Sequence, residues 1–100
     1  MSLIVKIHKK SGRALIAVCD SNLLGRLFEE NGKQLDLSSD FYKGEERDPV
    51  EIGDLIRNAD MVNLVGEESI KLGLQEEVIE ESHILKIDGV PHAQAVLITD

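Results

Sequence analysis

Two runs of crowded aliphatic residues open the chain, LIVKIH over 3–8 and ALIAVC over 14–19, joined by KKSGR. Ser11-Gly12 can turn the chain between them, so the pattern predicts a β-hairpin. Alternation along the second run puts Leu15, Ala17 and Cys19 on one face and Ala14, Ile16 and Val18 on the other. Both faces are apolar, which predicts a strand covered on both sides. Asp20 then stands where a helix N-cap belongs, and Leu24, Leu27 and Phe28 have helical spacing, predicting a first helix that ends at Asn31-Gly32. KQLDLS alternates as a strand with Leu35 and Leu37 inward.

The segment SDFYKGEERDP has no periodicity, and its adjacent Phe41 and Tyr42 with Gly44 mark it as more than a connection. Asp48-Pro49-Val50-Glu51 reads as a helix start, with Asp48 capping, Pro49 in the first turn and Glu51 reaching back as in a capping box. Ile52, Leu55, Ile56 and Ala59 are spaced as its buried face. MVNLVG reads as a short buried strand interrupted by Asn63. EESIKLGLQEE reads as a third helix packing through Ile70, Gly73 and Leu74. HILKIDG and VPHAQAVLI form two last strands joined at Asp88-Gly89. The order β-β-α-β-α-β-α-β-β makes the fold class α/β, with α+β as the close alternative: a mixed sheet with N-terminal and C-terminal hairpins and about three helices.

Length allows one domain over residues 1–100, because a chain of this size buries roughly 65% of its unfolded surface and has no material for a second core. The only aromatics are Phe28, Phe41 and Tyr42, so the core is aliphatic and a large stacking platform for bases is not expected. The opening residues do not read as a signal peptide, because their positive charges follow the apolar stretch. No run is long enough to span a bilayer. Cys19 is the sole cysteine, which excludes an internal disulfide and a cysteine-based zinc site and fits a reducing cytoplasm. The net charge of −8 works against generic nucleic-acid binding. It is unevenly spread: residues 1–19 hold Lys6, Lys9, Lys10 and Arg13, and all 19 acidic residues come later.

Few groups have the spacing of a reactive site. His8, His83 and His92 lie on separate strands with no i, i+2 or i, i+4 partner among them, so no metal is expected, and no cofactor motif is present. Cys19 beside Asp20, with His92 brought in by the fold as a base, would form a nucleophilic site. Against it, Cys19 shares its face with Leu15 and Ala17, as a small buried hydrophobe would. Gly66 between strand and helix invites a phosphate-loop reading, but Glu67 and Glu68 already occupy the positive end of the helix. Asn63 must satisfy its carboxamide in mid-strand, through a neighbouring loop or a ligand. After Pro91, alternation sends His92, Gln94, Val96 and Ile98 to one face and Ala93, Ala95 and Leu97 to the other. The polar pair then lines the rim of a sheet face. Lys6, Lys9, Lys10 and Arg13 crowd toward a hairpin tip, as a solvated edge or as a contact to phosphates or an acidic protein.

The blocks AVCD, LLGRLF, DFYKG, NLVG and DGVPHAQ together resemble an archaeal conserved family, domain of unknown function 424, over nearly the whole chain. The positions matching its blocks are Cys19, Asp20, Gly25, Phe41, Tyr42, Gly44, Asn63, Gly66, Gly89, Pro91, His92 and Gln94. The resemblance implies an archaeal cytoplasmic protein that stands as a single domain, and it implies no activity. It also implies a glycine after the third helix, where this chain has Glu77, which argues against a left-handed cap there.

The leading expectation is a non-catalytic binding module for RNA or the translation apparatus. In it the basic hairpin touches phosphate or partner, and His92, Gln94, Asn63 and the Phe41-Tyr42 loop frame the recognition surface. The alternatives are a small-molecule enzyme using Cys19, Asp20 and His92, and a structural subunit of a larger assembly. No membrane partner is expected.

Overall fold

The structure is a computed structural model that describes residues 2–97. Its centre is a six-stranded mixed sheet, built from β1 (Leu3–Lys10), β2 (Arg13–Asp20), β5 (Glu45–Arg47), β6 (Met61–Val65), β7 (Leu85–Ile87) and β8 (Val90–Val96) in the order β5-β1-β2-β6-β8-β7. Only β2 and β6 run parallel to each other; every other neighbouring pair is antiparallel. Both expected terminal hairpins are present. The radius of gyration, 12.6 Å, is that of one compact body, about 13 Å for a chain of this length.

Two helices, α1 (Pro49–Arg57) and α2 (Glu67–Gln75), cover one face of the sheet. Ile52, Ile56, Ile70 and Leu72 meet Val5, Ile16, Val18, Val62 and Leu64 there, in an aliphatic core. The Asp48 carboxylate accepts from the Val50 amide at 2.8 Å and so caps α1. Glu51 does not complete a capping box; its carboxylate takes Arg47 Nη1 at 3.0 Å, a bond to a charged donor that outcompetes a backbone amide.

The expected first helix is absent. Residues Ser21–Leu23 make a single 3-10 turn, and the chain then enters a second, two-stranded sheet, β3 (Leu27–Glu30) and β4 (Lys33–Asp36). Gly25 ends any helix, with φ at +87°, its amide donating to Leu37 O at 2.7 Å while the Leu37 amide donates to Arg26 O at 2.8 Å. Asn31-Gly32 is not a helix stop but a two-residue hairpin turn with φ of 51° and 80°, the geometry in which strand twist and turn twist agree. Ser11-Gly12 and Asp88-Gly89 turn the same way. Leu24, Leu27 and Phe28 fit helical spacing by coincidence: within β3, Phe28 points inward beside Leu35 while Leu27 is 51% exposed.

The end of α2 also departs from expectation. Glu77 does adopt a left-handed conformation, φ 60°. Its amide donates to Leu74 O and that of Val78 to Gly73 O, both at 3.1 Å, the paired bonds that close a helix C-terminus. Among the described residues no helix is long and apolar enough to cross a membrane.

Candidate functional site

The second face of the sheet is divided. At one end Cys19, Val65, Ile87 and Val90 are buried under Phe28 and Leu37 of the small hairpin segment, with Leu35 and Tyr42 at the margin. At the other end nothing of this kind covers the sheet among the described residues. Strand register orders the residues of this face in rows. Cys19, Val65 and His92 form one row, Ala17, Asn63 and Gln94 the next, and Leu15, Met61 and Val96 the last. On the flanking strand β1, Lys6 stands beside Ala17, His8 beside Leu15 and Lys10 beside Arg13.

Asn63 and Gln94, far apart in sequence, are therefore direct neighbours. They line a depression of about 250 Å³ whose other walls include Leu15, Met61 and Val96. Gln94 is exposed and Asn63 half-buried. Neither carboxamide bonds to another described residue, and neither is a buried polar group lacking a partner, so both reach water. Asn63 thus does not tie down a loop. Met61 and Val96, at 38% and 66% exposure, add uncovered apolar surface.

His92 lies on the border between the two halves. Its ring is half-buried and its Nε2 is enclosed without a partner among the described residues; burial, which disfavours the charged ring, pushes its pKa below the usual histidine value. Ile98, expected on this same face, lies outside the described residues.

The Phe41-Tyr42 loop flanks the open half from the β1 side. Phe41 stacks on His8, with ring centroids 4.5 Å apart and planes 17° from parallel, and His8 Nε2–H donates to Phe41 O at 2.9 Å. Tyr42 meets Phe41 edge-on at 4.9 Å, and Lys6 Nζ donates to Asp40 O at 3.0 Å. Lys6 and His8 therefore fasten this loop to the sheet. Beyond them the hairpin tip is exposed. Alternation turns Lys10 and Arg13 toward the open face and Lys9 toward the side of the helices.

The nucleophilic constellation is not assembled. Cys19 and Asp20 are successive strand residues and project to opposite faces. Cys19 is fully buried, and its thiol is pushed up to about 12, by burial first and by the Asp20 carboxylate second. Val65 stands between Cys19 and His92, which puts them two strand spacings apart, about 10 Å, beyond hydrogen-bond reach.

Asp20 has a different task. Its carboxylate accepts from the Glu68 amide at 3.1 Å, the Ser69 amide at 2.9 Å and the Ser69 hydroxyl at 2.8 Å. It caps α2 from the end of a neighbouring strand, not the segment that follows it. The fit requires Gly66, at φ +106°, where a Cβ would lie 2.2 Å from Asp20 Cγ. The Gly66 amide in turn donates to Pro91 O at 2.9 Å. AVCD, NLVG and DGVPHAQ thus converge beside a depression of about 220 Å³ bordered by Asp20, Asn22, Gly66, Gly89 and Pro91. A carboxylate already fills the helix N-terminus there, so an anion has no place in it. The sequence carried half of this signal, since Gly66 brings no capping side chain to α2; that Asp20 supplies one follows from the parallel pairing of β2 with β6.

Among the described residues, no three of histidine, cysteine, aspartate and glutamate gather as a metal would need. His8 lies on β1 and His92 on β8, while His83, expected on a strand, ends the 3-10 turn Glu81–His83 that precedes β7.

No curated protein matches the chain. Among solved structures, it is similar to an uncharacterized conserved protein from Methanopyrus kandleri, 24% identical, with a TM-score of 0.84 over 100% of this chain and 95% of that one. That likeness establishes a shared fold. The family model described as protein of unknown function (DUF424) matches residues 8–98, a span that holds the divided sheet face, the Asp20–Gly66 cap and the carboxamide pair, and the chain belongs to that family.

Proposed function

We propose that this chain is a non-catalytic binding module of the archaeal cytoplasm, and that it takes single-stranded RNA on the open half of the sheet. The observation that carries this reading is the meeting, on a face left open among the described residues, of carboxamides with no described partner, exposed apolar side chains and the basic end of the acid-free segment 1–19. Lys10 and Arg13 border that face, and charge there is local: beyond about 8 Å the acidic remainder is screened at physiological salt. Phosphates would engage the tip, and bases would lie toward Asn63 and Gln94. Short strands and not duplexes are favoured, because readable base edges in RNA belong to unpaired nucleotides.

Fluorescence anisotropy with a short labelled RNA, repeated over several salt concentrations, tests the reading. Binding should weaken linearly in log affinity against log salt, and Lys10→Gln with Arg13→Gln should reduce that slope by about 0.7 for each phosphate contact removed. Affinity and slope left unchanged when Lys9, Lys10 and Arg13 are all replaced by glutamine would remove the electrostatic basis of the proposal.

A further inference from the structure

We infer that the depression between Asn63 and Gln94 receives one unpaired adenine base of the RNA strand; the inference rests on the RNA reading and adds to it the identity of the base. Hydrogen bonds from Leu97 N to Asp60 O and from Gly66 N to Pro91 O fix the phase of the β6–β8 ladder. Counting by twos from them puts Asn63 and Gln94 in a non-hydrogen-bonded pair, the position where facing side chains come closest, with Cβ atoms about 5 Å apart.

Two carboxamides therefore stand side by side, each presenting an acceptor oxygen and an NH₂ donor. A carboxamide is the group that matches the adjacent N6 donor and N7 acceptor of adenine. Adenine repeats the same donor–acceptor pair at N6 and N1, so both forks of the site can be used. Unpaired guanine, cytosine and uracil each offer a carboxamide one such pair on the Watson–Crick edge, but none repeats it on the Hoogsteen edge, where guanine sets two acceptors, O6 and N7, side by side and calls for arginine or lysine. Neither stands in this depression. Leu15, Met61 and Val96 supply an apolar floor that the larger purine ring covers more fully than a pyrimidine. Arg13 and Lys10 follow Leu15 and His8 at the same end of the sheet, where the strand's neighbouring phosphates can meet them.

The test compares short oligo(A), oligo(C) and oligo(U) RNAs by anisotropy with the full chain, and uses Gln94→Ala, at an exposed position, and Asn63→Thr, which suits a strand. Oligo(A) should bind about tenfold more tightly than the other two. Each variant should erase that preference by lowering oligo(A) affinity to the level of oligo(U), while the salt slope, set by phosphate contacts at the hairpin tip, is retained. Adenosine monophosphate should compete poorly, since it lacks the adjoining phosphates. Equal binding of the three RNAs, or a preference that survives both variants, overturns the adenine assignment and leaves the RNA reading standing. Full displacement by the mononucleotide reassigns the depression to a free nucleotide and overturns it as well. Absence of binding to all three RNAs overturns the RNA reading itself.

Discussion

The two halves of the sheet's second face share strands, twist and register, yet the chain treats them in opposite ways. Over Cys19, Val65 and Val90 it lays β3 and β4 with Phe28 and Leu37, and every one of these side chains is buried. Two residues along the same strands it places Asn63 and Gln94, and covers them with nothing comparable. Burial on the first half contributes the usual return on apolar area, roughly 25 cal/mol per Å². A carboxamide at a central strand position returns none of this, and valine there would fit the pleat better. The difference separates a half packed for stability from a half whose carboxamides reduce stability with no compensating bond among the described residues, the pattern expected of the proposed RNA-binding face.

That contrast can be broken experimentally. Phe28→Ala should strip the cover from the buried half and cost about 3–5 kcal/mol in urea denaturation; a loss below about 1 kcal/mol, the level of ordinary surface changes, would mean the hairpin is not part of the core. A pH series should show the same asymmetry. Burial, with Asp20 second, pushes the Cys19 thiol from 9.0 up to about 12, and burial, with Cys19 second, pushes the Tyr42 hydroxyl from 10.0 up to about 12. Both groups stay protonated in the fold while the unfolded chain ionises first. Their contribution is thus complete below about pH 9 and is lost as pH rises toward about 12. Tyr42→Phe should make the decline of the denaturation midpoint above about pH 9 shallower; an identical decline would place Tyr42 outside the covered half. The smallest effect belongs to the open half. Asn63→Val should raise stability by about 0.5–1 kcal/mol while weakening RNA binding, and a clear destabilisation would show that Asn63 has a structural partner after all.

Legibility in the sequence followed the range of each interaction. The terminal hairpins, α1 and α2 were readable because turn residues, Asp48 and apolar spacing act within a few positions. The small hairpin was misread because LFEENGKQLDL carries both a helical stripe and a strong two-residue turn, and Gly25 together with Leu37 decides for the turn. Asp20 was placed at a helix end, but at the wrong helix: its partners Glu68 and Ser69 are brought in by the parallel pairing of β2 with β6. Alternation correctly separated Gln94 and His92 from the two alanines, because period-two geometry survives any strand order. The adjacency of Asn63 to Gln94, the stack of Phe41 on His8 and the separation of Cys19 from His92 all depend on which strands lie next to each other. Glu77 shows the reverse case, a left-handed cap formed without the glycine that normally signals it.

Amide chemical-shift mapping on the ¹⁵N-labelled protein during titration with oligo(A) RNA bears most directly on the divided face. The perturbed residues should form one contiguous set, from Lys10 through Ala17 on the hairpin to Asn63 and Gln94–Val96, with α1, α2 and the β3–β4 hairpin unmoved. Shifts concentrated on the helices, or spread without focus over the acidic surface, would contradict the account.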